Sequence, residues 1–329
     1  MYFVKRKTPV NFANSDLYLF NHELEKYLHL SEQIHLNFFL IHSNGSFIVN
    51  KALSNNIKEK SSIYKISKTK FILLFIKKAF KFQMFFKISF SIWFTDNWSV
   101  GYFHWMLDAL PRLIESQVKT NTKILLPFIF KDLSFVIPSL NALGFFNIQF
   151  MSENKLYVFS NLKFSTHSAP TGNYNEETIS HLRSLINLNS NNTLANLGRR
   201  IYVSRAKANR RKIKNENEMY PILKSFGFAV VYFENYTWQE QVAICSNANC
   251  LVGLHGAGLS NMLFMPKNSI IIELRKIGDS LNNCYFSLAS ALDHNYFYLQ
   301  SESDHTEVLN ANFVIDLVKF KFLLKSIFK

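Results

Sequence analysis

From residue 200 onward, apolar and polar positions alternate in a regular order. Short apolar runs, rich in β-branched and aromatic residues, are separated by segments with helical periodicity. Apolar runs that alternate with helices in this way favour a parallel β-sheet. We therefore predict an α/β domain with a parallel sheet in this part of the chain. Its strands are RIYVS (200–204), FAVVYF (228–233), NCLVGL (249–254), SIIIEL (269–274) and NYFYL (295–299).

Helix start signals support this prediction. Asn215 is followed three residues later by Glu218, and Thr237 is followed in the same way by Glu240. This is the spacing of a capping box, in which each side chain accepts a backbone N–H at the start of the helix. Gly227 lies beyond the end of the first of these helices, where glycine is favoured. We therefore expect helices to begin at Asn215 and Thr237.

The first 190 residues are less regular. KILLPFIF (123–130) and KLYVFSNLKF (155–164) have the composition of strands, and WSVGYFHWMLDALPRLIESQV (98–118) has that of a helix with Pro111 near its middle. The Asn- and Ser-rich segment 185–198 has turn composition and is predicted as a linker. Two domains follow from this pattern, at residues 1–190 and 191–329.

Composition adds a preference for an acidic partner. The 329 residues are 48% hydrophobic, which is ample for two cores, and 37 Lys and Arg against 23 Asp and Glu give a net charge of +14. A basic protein of this kind favours nucleic acid, anionic lipid or nucleotide phosphate. The three cysteines, Cys245, Cys250 and Cys284, lack CxxC spacing, so neither a disulfide framework nor a zinc site is indicated and a reducing compartment fits best.

The most apolar stretch of the chain, residues 71–94, is interrupted by lysines at 77, 78, 81 and 87. This excludes a membrane span, and the N-terminus lacks the apolar region of a secretion signal. The alternation in FKISFSIWF (86–94) favours buried strands over contact with a membrane surface, which stays the alternative.

The sequence LVGLHGAGLSNMLFMP (251–266) is the strongest candidate for chemistry. It places a glycine turn and a short helix at the carboxyl edge of the predicted sheet, where backbone N–H groups bind anions. Gly256 and Gly258 would let the backbone approach a phosphate, His255 would donate to it, and Glu273 would accept from ribose hydroxyls. An ordinary tight turn that packs on a neighbouring helix is the structural alternative.

Two better-known motifs do not fit this turn. A dinucleotide fingerprint G-x-G-x-x-G would need glycine at Asn261, and the helix that follows is short. The turn also resembles the oxyanion loop of lipases, but no two of the ten glycines are four residues apart, so G-x-S-x-G is absent. Dinucleotide binding and serine hydrolysis are therefore both disfavoured.

A cluster of eight basic residues without an acid occupies residues 199–214. Arg205 follows its predicted strand directly, so it is expected at the ligand edge of the sheet, and Arg211 lies further into the loop. The planar guanidinium group binds phosphate oxygens in pairs, which makes both residues candidates for a diphosphate. A solvated basic loop is the alternative for most of the cluster.

In GYFHWMLDALPRL (101–113), His104, Asp108 and Arg112 follow one another at intervals of four and so share a helix face. A carboxylate or imidazole held in this way can accept a proton from an attacking hydroxyl, as general-base catalysis requires. An exposed ion pair between Asp108 and Arg112 is the structural alternative.

Three segments, taken together, resemble glycosyltransferase family 61, which includes bacterial capsular-polysaccharide biosynthesis proteins. They match the family in order and spacing over about residues 95–275. They are FHWMLDALPRL (103–113), IYVSRAKANRRKIKNENEM (201–219) and EQVAICSNANCLVGLHGAGLSNMLFMPKNSIIIEL (240–274).

The resemblance implies a GT-B architecture, in which two Rossmann-like domains face each other across a cleft. It also implies a nucleotide-sugar donor, inversion at the anomeric carbon, no metal and no cofactor, and the eight aspartates of the chain contain no D-x-D. The catalytic positions it implies are Asp108 and His104, with Asp108 as the expected base and His104 as the alternative. The donor positions it implies are Arg205, Arg211, His255, Gly256, Ala257, Gly258, Asn261 and Glu273.

The chain is therefore expected to be a cytoplasmic glycosyltransferase of bacterial surface polysaccharide. Its acceptor would be a lipid-linked glycan, reached at the inner face of the cytoplasmic membrane through peripheral contact with anionic lipid. An NAD(P)-dependent oxidoreductase and a basic module that binds nucleic acid or membrane are the alternatives. Nucleic acid is not expected as a partner, because no recognition motif accompanies the basic cluster.

Overall fold

The structure is a computed structural model that describes residues 1–28, 31–42, 85–88, 90–153, 155–167, 169–189 and 197–328. The chain divides into two compact units, which are described separately. The first unit contains Met1–Leu28 and Gly172–Lys329, and the second contains His29–Thr171. The first 28 residues thus belong with the C-terminal half. The functional boundary near residue 190 and the GT-B architecture stay predictions.

The strands are β1 (Tyr2–Lys5), β2 (Glu25–Leu28), β3 (Gln33–His42), β4 (Phe85–Ile88), β5 (Ser91–Trp93), β6 (Ile124–Leu126), β7 (Ile148–Phe150), β8 (Leu156–Ser165), β9 (Arg200–Val203), β10 (Phe228–Val231), β11 (Cys250–Leu254), β12 (Ile270–Lys276), β13 (Asn295–Ser303) and β14 (Phe313–Val314). The helices are α1 (Leu17–Leu24), α2 (102–115), α3 (Val136–Ala142), α4 (Glu176–Asn189), α5 (Glu216–Ser225), α6 (Trp238–Asn247), α7 (Cys284–Ala291) and α8 (Leu317–Ile327). The 3-10 helices are Asn14–Asp16, Phe128–Phe130, Phe233–Asn235, Ala257–Phe264 and Val308–Asn310.

The first unit is built on one six-stranded sheet in the order β10-β9-β11-β12-β13-β14. Strands β9 to β13 are parallel, and β14 is antiparallel to β13. The predicted parallel sheet and α/β class are therefore confirmed. The strand order changes direction between β9 and β11, and open α/β sheets bind ligands beyond the carboxyl ends of their strands at such a point.

Both faces of this sheet are covered. On one face, Tyr202, Val252 and Ile272 pack in a core with residues of α5 and α8. On the other face, an ideal Cβ at Gly253 would lie 3.1 Å from Leu259 Cδ2 of the 3-10 helix, and Tyr296 meets Phe286 of α7. Alternate residues of each strand thus face two separate helix layers, as the side-chain period of a strand requires.

The two predicted helix starts are found, but only one has the predicted cap. At Thr237 the hydroxyl accepts the N–H of Glu240 and the Glu240 carboxylate accepts the N–H of Thr237, which confirms the capping box. Asn215 precedes α5 without capping it. Its side chain instead donates to the carbonyl of Ile315 and accepts the N–H of Ile315, just after β14, so it is not available to cap α5.

Several predicted boundaries were wrong, including the following three. Strand β12 continues to Lys276, because its pairing with β13 extends that far, so Glu273 lies within the strand rather than at its end. Residues 185–189 belong to α4 rather than to a linker, and the predicted linker residues 190–196 lie outside the described residues. In KILLPFIF, β6 ends at Leu126, since Pro127 is followed by a 3-10 helix.

The second unit contains a sheet in the order β3-β8-β4, with β5 also paired to β8, and a parallel pair β6–β7. The strand predicted at 155–164 is β8, and the strands predicted within FKISFSIWF are β4 and β5. Residues 71–84 of the apolar stretch lie outside the described residues. Among the helices that the structure describes, none has the length and apolar content to span a bilayer.

Helix α2 of the second unit has a wide turn in its middle. It is α-helical at Tyr102–His104, π-helical at Trp105–Ala109 and α-helical again at Leu110–Glu115. Pro111 explains the change, because it cannot donate to the carbonyl four residues earlier and its ring would clash there. Such π turns are often found at functional sites, and Asp108 lies in this one. Trp105, Met106 and Leu107 are buried.

Candidate functional site

The glycine turn lies where the parallel sheet changes direction. Strand β11 ends at Leu254, and after His255 and Gly256 the chain enters the 3-10 helix Ala257–Phe264. No side chain caps this helix, although its first N–H groups have no partner within the helix. Unpaired N–H groups at a helix start carry a partial positive charge and bind anions.

Arg205, which follows β9, packs against this turn. An ideal Cβ built on Gly256 would lie 2.4 Å from Nη1 of Arg205, so glycine leaves the room that the guanidinium group occupies. Nε of Arg205 donates to the carbonyl of Arg211, and Nη2 donates to that of Arg210, each at 2.9 Å. The sequence-predicted residues Arg205 and Gly256 are therefore in direct proximity.

Arg205 and Arg211 are neighbouring cations, and Glu216 and Glu234 act on Arg205 only from beyond ion-pair distance. The ion pairs of the described residues include neither guanidinium group. Burial and, after it, the positive charge of Arg211 lower the pKa of Arg205. Arg211 has a left-handed backbone, with φ of 56°, and its Nε is buried without a hydrogen bond. Two adjacent cations without an ion-pair partner among the described residues favour an anionic ligand.

His255 is held by a buried carboxylate. Its Nδ1 lies 2.5 Å from Oε1 of Glu273, and the hydroxyl of Tyr296 donates to the other oxygen, Oε2. Glu273 has no exposed surface, and His255 keeps only 7% of its own. A carboxylate at Nδ1 fixes the ring orientation and leaves Nε2 for a further partner.

The remaining predicted donor residues pack inside the first unit. Asn261 is fully buried, and its amide donates to Gln241 of α6. An ideal Cβ on Gly258 would lie 3.0 Å from Cγ1 of Val203, so this glycine allows the 3-10 helix to pack on β9. Ala257 and Gly258 are half-buried and are the part of the helix start that reaches the surface.

In the second unit, His104 and Asp108 form a close pair on α2. Nδ1 of His104 lies 2.8 Å from Oδ2 of Asp108, and the hydroxyl of Thr171 donates to the same oxygen. The His104 side chain is 24% exposed, whereas that of Asp108 is 5% exposed. The imidazole is therefore the more accessible member of the pair, with the carboxylate behind it.

Arg112 does not pair with Asp108 at the surface, so the structural alternative for this helix was wrong. Arg112 is fully buried and donates through Nη1 to Asp96 at 3.3 Å and through Nε to the carbonyl of Ser165. Asp96 also contacts Nε2 of His167 at 3.0 Å. Burial lowers the pKa of Arg112 to about 10, against the opposing effect of Asp96. The π turn and tertiary packing turn Arg112 inward.

In the part of the chain that the structure describes, no three His, Cys, Asp or Glu side chains gather into a possible metal-binding group. The three cysteines are free.

The sequence profile of the family described as Glycosyltransferase 61 matches residues 102–272, just over half of the chain. The matched region begins with the helix that carries His104 and Asp108 and includes the glycine turn with Arg205. A match over this share of the chain establishes membership of the family, whose members are sugar-transferring enzymes. The chain belongs to glycosyltransferase family 61, and the resemblance predicted from the sequence is confirmed.

Individual relatives match a shorter region. The chain is 37% identical over 84 residues to the EGF domain-specific O-linked N-acetylglucosamine transferase of Bos taurus, which covers 24% of this chain and 16% of the relative. The Drosophila melanogaster protein of the same name is 33% identical over 117 residues, which covers 32% of this chain and 22% of the relative. The chain therefore covers less than a quarter of either relative's length.

Some residues of both sites were not predicted. Tyr296 meets Glu273 across neighbouring parallel strands, and His167 meets Asp96 from 71 positions away, so neither contact has a local signal. Asp96 did have a local signal in the sequence, since an Asp three residues before a Ser is typical of a side chain that closes a turn.

Proposed function

We propose that this chain is an inverting, metal-independent glycosyltransferase that moves a sugar from a nucleotide-sugar donor to a glycan acceptor. Its family membership supports sugar transfer in general. The observation that carries the donor assignment is the contact of Arg205 with Gly256 at the point where the sheet order changes direction. Both features lie in the first unit, and both favour the binding of an anion.

In this proposal Arg205, Arg211 and the helix start at Gly256, Ala257 and Gly258 hold the diphosphate of the donor. The leaving nucleoside diphosphate gains negative charge as the glycosidic bond breaks. Cations and N–H groups fixed at that position stabilise the transition state more than the ground state. This stabilisation takes the place of a divalent metal.

For three residues we revise the expected donor contact. Glu273 is fully buried, with both oxygens bonded inside the protein, so it orients His255 rather than accepting from a ribose. Nε2 of His255 is then the group that faces the donor. Asn261 and Gly258 act by packing the 3-10 helix against α6 and β9.

The His104–Asp108 pair is proposed as the general base. The sequence predicts Asp108 as the base and His104 as the alternative, but the greater exposure of His104 favours His104 as the group that meets the acceptor hydroxyl. Asp108 would then hold Nδ1 and stabilise the imidazolium that forms when the proton is taken.

For the acceptor, the sequence resemblance favours a lipid-linked glycan of a bacterial capsule, in the cytoplasm. The names of the relatives favour a second candidate, transfer of N-acetylglucosamine to a protein hydroxyl.

Peripheral contact with anionic lipid has support in α8, which exposes Val318 and Phe322 between lysines. Co-sedimentation with anionic vesicles at low salt tests this contact, and recovery in the supernatant would contradict it.

A panel of nucleotides and nucleotide sugars tests the function. We expect UDP, GDP or CMP compounds to raise the melting temperature, because a ligand at 100 times its Kd stabilises the folded state by about 2.7 kcal/mol. The matching nucleotide sugar should be hydrolysed slowly without acceptor, and this hydrolysis should persist in EDTA. Stabilisation by NAD(P)H alone, or loss of hydrolysis in EDTA with recovery in Mn²⁺, would contradict the proposal.

A further inference from the structure

One tryptophan of the chain differs from the other three in its exposure. Trp93, Trp105 and Trp238 are buried, whereas Trp98 is 61% exposed. A single exposed aromatic residue is common at protein surfaces and would carry no argument by itself. Trp98 differs from such a residue because its loop is held in place and because it lies beside His104.

The loop that carries Trp98 is fixed by the buried carboxylate of Asp96. Oδ1 accepts the N–H groups of Trp98 and Ser99 at 2.9 and 3.1 Å and also the Ser99 hydroxyl at 3.0 Å. Oδ2 contacts Arg112 and His167. A buried charge is costly unless hydrogen bonds and opposite charges compensate it. The five contacts of Asp96 provide this compensation, and three of them fix the backbone and side chains of the loop that carries Trp98.

This loop places the indole beside the proposed catalytic pair. The rings of Trp98 and His104 are 5.6 Å apart between centroids and inclined at 43°. Two neighbours of Trp98, Asn97 and Val100, also line a cavity of about 240 Å³ together with Pro127 and Ile129. An exposed, fixed aromatic face therefore lies next to the group proposed to meet the acceptor hydroxyl.

We propose that Trp98 is a binding platform for the acceptor, on which a pyranose ring stacks through its C–H face. A pyranose has one face of C–H groups, and the electron-rich face of an indole attracts such weakly positive hydrogens. Ligand sites combine aromatic surface with a few polar groups in this way. The inference deepens the proposed function and rests on it. In this role Asp96 is a positioning residue.

Binding can be tested without turnover, because only one of the four indoles is exposed. With 15N-labelled indoles, the signal of Trp98 is identified by its loss in Trp98→Phe. Cellotriose, maltotriose and chitotriose serve as probes at millimolar concentration. We expect at least one of them to shift the Trp98 signal and to protect its fluorescence from acrylamide. Trp98→Ala should abolish binding of that oligosaccharide.

Phe146→Ala is the matched control, since Phe146 is 74% exposed in the same unit and should not affect binding. In transfer assays with the oligosaccharide that binds, Trp98→Ala should raise the acceptor KM at least about fivefold with a smaller effect on kcat, and Trp98→Phe should retain most of the affinity. An unmoved Trp98 signal with all three probes, or an unchanged acceptor KM in Trp98→Ala, would overturn the platform. Failure of the wild-type chain to bind any nucleotide sugar would instead contradict the proposed function. The indole signal does not depend on nucleotide-sugar binding, so it tests the Trp98 platform separately.

Discussion

At the scale of single residues, Arg205 is the most direct test of the donor site. Replacement of Arg205 by alanine removes a charge that forms no ion pair with a carboxylate of the described residues. The Kd for a nucleoside diphosphate should therefore rise by the equivalent of about 1.5–3 kcal/mol, whereas that for the bare nucleoside should change little. Isothermal titration calorimetry measures both.

Arg210→Ala is the control for Arg205→Ala. Arg210 lies in the same basic loop and is exposed, and its carbonyl, which accepts from Arg205, stays in the variant. We expect its affinity for the diphosphate to stay near that of the wild type. Equal affinities in Arg205→Ala and the wild type would assign Arg205 to a solvated basic loop.

A second prediction separates the two members of the proposed base. If His104 accepts the proton and Asp108 holds it, His104→Gln should lower kcat by roughly 10²–10⁴. Asp108→Asn should also lower kcat, because an amide cannot stabilise the imidazolium, while leaving the Kd of the donor nearly unchanged. Steady-state kinetics and melting temperatures of both variants test this.

The relative size of the two effects is informative. A much larger loss in Asp108→Asn, with His104→Gln still active, would return the role of base to Asp108. Near-wild-type turnover in both variants, with unchanged melting temperatures, would place the base elsewhere.

What could be predicted about these residues depended on how far apart their partners are in the chain. The spacing of four between His104 and Asp108 predicted their proximity, and the structure has them in contact. The same spacing from Asp108 to Arg112 was misleading, because Arg112 finds a partner in Asp96. Sequence spacing gives geometric proximity on a regular helix, but a π turn and a buried counter-charge both override it.

At the scale of elements, the glycine turn gives a matched pair of variants. In Gly256→Ala the new methyl group would lie too close to the end of the flexible Arg205 side chain, which can move away, and at an ordinary contact distance of 3.6 Å from the carbonyl of Leu254. Diphosphate affinity should fall with little change in stability. In Gly258→Val the side chain would meet Val203 in the core, so unfolding free energy should fall by about 1–3 kcal/mol. Calorimetry and urea denaturation distinguish the two effects.

Wild-type diphosphate affinity in Gly256→Ala would argue against contact between the ligand and the Arg205 guanidinium. Wild-type stability in Gly258→Val would show that the 3-10 helix can move off β9 without cost.

Element boundaries were predictable where the local sequence alone decides them. The capping box at Thr237 is such a case, since all its partners lie within four residues. The end of β12 was not, because the pairing of Lys276 with Ser301 extends it past Glu273. This extension changes the chemistry, since it places the carboxylate inside the sheet instead of at the ligand edge.

At the scale of the whole molecule, the sheet of the first unit follows from its apolar periodicity, and five predicted strands are all parallel neighbours. The assignment of the first 28 residues to this unit was not predictable. It depends on contacts such as Asn283 Nδ2 with the carbonyl of Leu19 and Arg275 over the ring of Phe20. Contacts over such separations have no periodic signal in the sequence.

Acid stability of the whole chain should depend on His294, which is buried beside the 3-10 helix of the glycine turn. Its Nε2 lies 3.0 Å from the carbonyl of Met262, and it is 3% exposed. Burial, with Arg183 acting in the same direction, lowers the pKa of His294 from 6.5 to about 4. Between these two values the unfolded chain binds a proton that the folded chain does not. Unfolding free energy should therefore fall as the pH falls through this window, by about 3 kcal/mol from His294.

Urea denaturation of the wild type and of His294→Gln between pH 7 and pH 4 measures this contribution. Glutamine keeps a donor for Met262 but does not titrate, so the variant should lose less stability on acidification than the wild type does. His305→Gln, which replaces an exposed histidine, is the control. Parallel pH profiles for the wild type and His294→Gln would mean that His294 is protonated in the folded chain.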